Sequence, residues 1–102
     1  MTDGCTVPAP EAALLQKAAE VLKTVAHPVR LRIIDHLECG EKSVMELCRC
    51  LDTPQAYMSQ QLNLMKSKGI LSSRRSGTHM IYSIADPRVV KIIHCVRQQA
   101  EV

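Results

Sequence analysis

Apolar side chains recur along most of this chain at the spacing of one helix face. From residue 11, Leu15, Ala18, Ala19, Leu22 and Val25 predict a helix that His27-Pro28 ends, because the residue before a proline is pushed out of helical dihedrals. Pro28 fits the first turn of a second helix through Val29, Leu31, Ile33, Ile34 and Leu37, and Gly40 is a good left-handed stop after Cys39. Ser43 with Glu46 three residues on is a capping-box pattern, and Val44, Leu47, Cys48 and Leu51 share a face of the helix behind it. Asp52-Thr53-Pro54 makes a short break in which Thr53 is expected to cap a fourth helix and Pro54 to be its first residue. That helix is expected over 54–68, with Gly69 as its stop. Then the period changes: residues 70–84 read as two strands around Arg75-Ser76-Gly77-Thr78. Pro87 opens a last helix over 87–99, apolar at Val89, Val90, Ile92, Ile93 and Val96. Residues 1–10, with Pro8 and Pro10, read as a flexible arm before a single domain over 11–99.

A helix, a tight turn, a second helix and a hairpin make a winged helix-turn-helix, mainly α with a β-hairpin wing. The fourth helix supports this reading. Met58, Leu62 and Met65 fall on one stripe and belong to a core. The opposite stripe holds Ala56, Gln60, Asn63 and Ser67, flanked by Tyr57, Ser59 and Lys66. A merely solvated face is usually rich in Glu–Lys pairs, whereas this one is polar, mostly small and free of acids. Short hydrogen-bonding groups without carboxylates suit base edges in a major groove flanked by phosphates. In the hairpin, Arg74, Arg75 and His79 surround the Gly77 tip, as in a wing that grips phosphate or the minor groove.

Charge changes the picture only when resolved along the chain. The net charge of +3 over 102 residues predicts little. Yet residues 53–85 contain no Asp or Glu while carrying Lys66, Lys68, Arg74 and Arg75. The basic charge is regional, an electrostatic footprint for a polyanion. With no Trp, no Phe and only Tyr57 and Tyr82, no aromatic platform exists for single-stranded nucleic acid. No apolar run approaches a membrane span and the N-terminus lacks a secretory pattern, so a cytoplasmic protein is expected. No nucleophile–base pair, paired carboxylate or phosphate loop appears, so an enzyme is not expected.

Several linked motifs resemble the ArsR/SmtB family of small bacterial repressors: Ala26-His27-Pro28-Val29-Arg30-Leu31-Arg32-Ile33-Ile34, Ser43-Val44-Met45-Glu46-Leu47, Met58-Ser59-Gln60-Gln61-Leu62 with Gly69-Ile70-Leu71, and Arg74-Arg75-Ser76-Gly77 leading to Tyr82. The resemblance implies a homodimer held by the first and last helices, each protomer placing its fourth helix in one half of an inverted repeat in duplex DNA. The apolar load of the last helix fits such a partner. The resemblance also puts Gln55, Ser59 and Gln60 where the family reads DNA. Pro54 departs from it, since the family often has Ser there. The DNA-facing set is thus Gln55, Ala56, Tyr57, Ser59, Gln60, Asn63, Lys66, Arg74, Arg75 and His79.

The five cysteines are an odd number without repeated C-x-x-C spacing, so neither a secreted disulfide framework nor a zinc ribbon is expected. Cys48 lies on the core stripe, and Cys50 lies about 200° around the helix, so an intact helix does not let both grip one ion. Glu46-Leu47-Cys48-Arg49-Cys50 resembles the family's arsenic or cadmium signature but lies about five residues later along the chain, counted back from Ser59. Only Cys48 falls where some members have a third arsenic ligand. The family's hard-ligand zinc site is poorly matched, with Arg88 two residues after Asp86 and His94 alone. Family members that sense persulfide or oxidant carry one thiol in the second helix and one in the last, a few residues from Cys39 and Cys95. Two sensing chemistries stay open: thiol oxidation or persulfidation, and soft binding of As(III) or another thiophilic ion by Cys48, Cys50 and either Cys5 or Cys95 of the partner subunit. No other cofactor is called for. The expected function is a repressor whose operator affinity follows cysteine chemistry; the alternative is a thiol-based metal or redox-binding protein without a DNA function.

Overall fold

The computed structural model describes residues 9–101. Its elements are α1 (Ala9–Val25), α2 (Pro28–Glu38), β1 (Lys42–Ser43), α3 (Val44–Leu51), α4 (Gln55–Ser67), β2 (Leu71–Ser76), β3 (His79–Ile84) and α5 (Arg88–Glu101). This is the expected winged helix-turn-helix, with one strand more than the periodicity shows. Of the expected arm, residues 1–8 lie outside the described part, and the first helix already begins at Ala9 rather than at residue 11.

The core is one cluster to which nearly every element contributes. Ile33, Ile34 and Leu37 of α2 meet Leu47 and Leu51 of α3, Met58, Leu62 and Met65 of α4, Tyr82 of β3, and Val89 and Ile93 of α5. α1 behaves differently. Its last turn seats Thr24 and Val25 against the core, while Leu14, Leu15 and Leu22 stay 57%, 60% and 53% exposed. The radius of gyration is 16.0 Å, against about 13 Å for a compact domain of this length. On α5, Val96 is likewise exposed.

Local chemistry explains the boundaries. His27 caps α2 with its own ring, Nδ1 accepting from the Val29 N–H at 3.2 Å. The capping box of α3 is complete: Ser43 Oγ accepts from the Glu46 N–H at 3.1 Å, and Glu46 Oε1 accepts from the Ser43 N–H at 2.8 Å. Asp52, in the left-handed region at φ 53°, closes the other end of α3 by donating its N–H to the Cys48 carbonyl. The expectation for α4 is corrected by one residue. Pro54, at φ −62° and ψ 148°, is itself the capping position and supplies no side-chain bond. Thr53 does not cap α4: its backbone N–H closes α3 by reaching the Cys48 carbonyl at 3.1 Å, and its hydroxyl is buried without a protein partner.

The sheet is antiparallel in the order β1-β3-β2. Arg75 pairs with Met80 and Ser76 with His79, so the loop is only Gly77-Thr78, and Arg75 belongs to a strand rather than to the turn. Gly77 supplies the positive φ, 63°, that the first position of such a two-residue hairpin demands. The unexpected β1 pairs Lys42 with Tyr82 and Ser43 with Ile81, tying the start of α3 to the wing. No helix among the described residues is long and apolar enough to cross a membrane.

Candidate nucleic-acid interface

α4 turns its Met58–Leu62–Met65 stripe fully inward, which leaves Gln55, Ala56, Gln60, Asn63 and Lys66 exposed and Tyr57 and Ser59 half-buried. A groove of about 350 Å³ runs between this helix, the start of α3 and the wing. Gln55, Ser59, Asn63, Lys66 and His79 share its lining with Met45 and Tyr82. The groove therefore gathers half of the expected DNA-facing set. Ala56, Tyr57, Gln60, Arg74 and Arg75 lie outside it.

Arg74 differs from the picture drawn from charge alone. Its guanidinium is hydrogen-bonded and ion-paired with Glu41, the Nε–Oε2 contact being 3.3 Å. The bond from Arg74 holds the Glu41 carboxyl below its ordinary value and raises the Arg74 value in turn. An acid from 33 positions earlier thus reaches a segment free of acids in sequence. Pairs this exposed contribute little to stability in water. The pair does orient Arg74, and Arg75 is left as the wing's other exposed cation.

Two further polar contacts were not legible in the periodicity. Gln61 is only 8% exposed and accepts from Arg30 Nε at 2.7 Å, while the same guanidinium donates to the Thr24 carbonyl at 3.0 Å. One arginine of α2 thereby joins the end of α1 to the middle of α4. The second contact is from the Tyr82 hydroxyl to Asn63 Oδ1 at 3.2 Å. A signal for Gln61 existed, since its helical angle falls beside Met65 on the buried stripe. None existed for Tyr82.

Cys39, Cys50 and Cys95 are exposed, and Cys48 is half-buried against the core. Cys48 and Cys50 diverge as their helical angle requires; Cys5 lies outside the described residues. Among the described residues no three His, Cys, Asp or Glu side chains gather as a metal-holding group. Asp86 is committed to Arg88, accepting from its backbone N–H at 3.0 Å and from its guanidinium at 2.7 and 2.9 Å, and these bonds hold its carboxyl below its ordinary value. His94 pairs with Glu38, and Arg97 with Asp35, so α2 and α5 are joined beside Cys39 and Cys95.

A family profile described as a helix-turn-helix domain matches residues 25–74. The chain is 40% identical over 80 residues to the transcriptional repressor PagR of Bacillus anthracis, covering 78% of this chain and 80% of PagR. It is 36% identical over 89 residues to the transcriptional repressor SmtB of Mycobacterium tuberculosis, covering 86% of this chain and 66% of SmtB's own length. The solution structure of the homodimeric winged helix-turn-helix DNA-binding domain of Mb0332 from Mycobacterium bovis, described as a possible ArsR-family transcriptional regulator, superposes with a TM-score of 0.79. That pair is 32% identical and covers 95% of this chain and 90% of the other. The chain belongs to the ArsR/SmtB family. The ArsR/SmtB relatives matched are transcriptional regulators rather than enzymes. The profile match takes in α2, α3, α4 and β2 up to Arg74, so it spans the helix-turn-helix and the groove's α4 wall.

Proposed function

We propose that the protein is an operator-binding repressor that acts as a homodimer in the cytoplasm and that cysteine chemistry controls its hold on duplex DNA. The observation that carries the DNA-binding part is the acid-free outer face of α4 set beside the wing across one groove. Short donors and acceptors face outward there, with Lys66 and Arg75 at the edges for phosphates. The homodimer is supported by the exposed leucines of α1 and Val96 of α5, and by the homodimeric state of the Mb0332 domain. Two α4 helices in such a dimer read half-sites about 34–36 Å apart.

For sensing, the reading we favour uses Cys39 and Cys95. Both thiols are exposed, and each neighbours a residue of the Glu38–His94 pair that joins α2 to α5. Peroxide would take one proton and one electron from each thiol, leaving as water while a sulfur–sulfur bond forms. Such a bond would replace that ion pair by a covalent link between the helix-turn-helix and its dimer helix. The soft-ion reading rests on Cys48 and Cys50, which need a ligand from Cys5 or from a second protomer, since they diverge on α3.

The test is a titration of reduced protein against duplexes selected from a random pool, at low and high salt. Affinity is expected to fall steeply with salt, and the triple variant Gln60→Ala, Arg74→Ala, Arg75→Ala to lose about 100-fold, with a salt slope shallower by about 2. Unchanged binding by that variant overturns the DNA-binding reading. Repeating the titration with peroxide, persulfide and arsenite, with mass spectrometry of the thiols, separates the sensing chemistries. Release that survives Cys39→Ser and Cys95→Ser overturns the favoured one.

A further inference from the structure

We propose that Asn63 reads a keto base, guanine or thymine, and that the Tyr82 hydroxyl fixes this choice by engaging the Asn63 carbonyl. The inference rests on the DNA-reading role proposed above for α4. A free asparagine amide offers one acceptor and two donors and turns either end outward. Its usual match is adenine, donating to N7 and accepting from N6. The Asn63 amide is not free.

Tyr82 is 5% exposed in the middle strand of the sheet, and its hydroxyl lies 3.2 Å from Asn63 Oδ1. Burial raises its pKa above the ordinary 10.0, so the hydroxyl keeps its hydrogen and needs an acceptor. Asn63 Oδ1 is the acceptor it finds. Were the amide reversed, Nδ2 would donate to the phenol oxygen and the phenolic hydrogen would lose the Asn63 carbonyl, the one acceptor it bonds among the described residues. With the carbonyl held by Tyr82, the exposed Asn63 offers its N–H donors to the groove it lines with Ser59 and Lys66. Guanine answers donors in the major groove with both O6 and N7, and thymine with O4; adenine answers with N7 alone, beside an amino group that sets donor against donor, and cytosine presents only an amino group.

The experiment selects binding sites from a random duplex pool with the full-length protein and with Asn63→Ala, Asn63→Asp and Tyr82→Phe. The wild type is expected to favour guanine or thymine by about tenfold at one position of each half-site. Asn63→Ala flattens that position alone. Asn63→Asp, which accepts from Tyr82 and offers only acceptors outward, moves the preference to the amino bases, chiefly cytosine. Tyr82→Phe keeps its ring in the core and admits adenine at that position without weakening the best site more than a few-fold; thermal unfolding confirms that it is folded. Three results overturn the assignment alone: Tyr82→Phe with an unaltered base preference, Asn63→Ala that weakens every sequence equally as a phosphate contact would, or a wild type that prefers adenine or cytosine there. A wild type that selects no sequence overturns the DNA-reading role of α4 and this assignment with it.

Discussion

α3 and α4 are consecutive helices of one motif and end in opposite ways. α3 is closed at both ends, by the Ser43–Glu46 box at its start and by the left-handed Asp52 at its finish. α4 begins on a proline with no side-chain bond to its first turn and no acid within that turn. The N–H groups of Gln55, Ala56 and Tyr57 precede the first rung of the helical ladder, the bond from the Met58 N–H to the Pro54 carbonyl. A sealed helix stabilises itself, whereas an open one keeps its donors and its positive pole for an anion outside. The pair therefore divides the labour: α3 holds the frame, and α4 is supported by its buried stripe while its start stays available.

The comparison breaks most sharply at Pro54. In Pro54→Asp the new carboxylate should cap α4 and repel phosphates, lowering DNA affinity by about tenfold or more. Stability should stay within about 1 kcal/mol, because the cap gained offsets the proline's restriction of the unfolded chain. Pro54→Asn caps without charge, and its affinity should fall less; equal losses in the two variants, measured by titration, would mean that charge at this end is irrelevant. A smaller effect is expected at α3. Ser43→Ala should cost about 1 kcal/mol in denaturant unfolding, with the DNA dissociation constant little changed.

The smallest effect is the response to acid. The Ser43 N–H holds the Glu46 carboxyl below its ordinary 4.5. Its contribution is present above that value and disappears as pH falls through the lower folded value. α4 contains no carboxylate. Amide exchange followed from about pH 5 to about pH 3 should therefore loosen the first turn of α3 before that of α4. Simultaneous loosening would contradict the division.

Much of this frame is legible in the chain. The order of helices, the buried stripe of α4, the box at Ser43 and the hairpin at Gly77 are local, encoded within a few residues by period and cap chemistry. What escapes local reading joins distant positions: Arg30 with Gln61, Glu41 with Arg74, and Tyr82 with Asn63. No period links such partners, and β1 is invisible because two residues cannot show an alternation. The shift of Pro54 to the capping position has a different origin. It depends on Thr53 being drawn into closing α3, a competition between neighbouring helices that neither pattern displays alone.

The exposed leucines of α1 carry a consequence for dosage. In the proposed dimer their burial is part of the free energy that holds the fold, so stability rises with the protein's own abundance. The dimer population then grows with the square of the monomer concentration while monomer predominates. At low copy number, halving synthesis would remove more than half of the binding-competent species, making occupancy of an operator a steep function of expression.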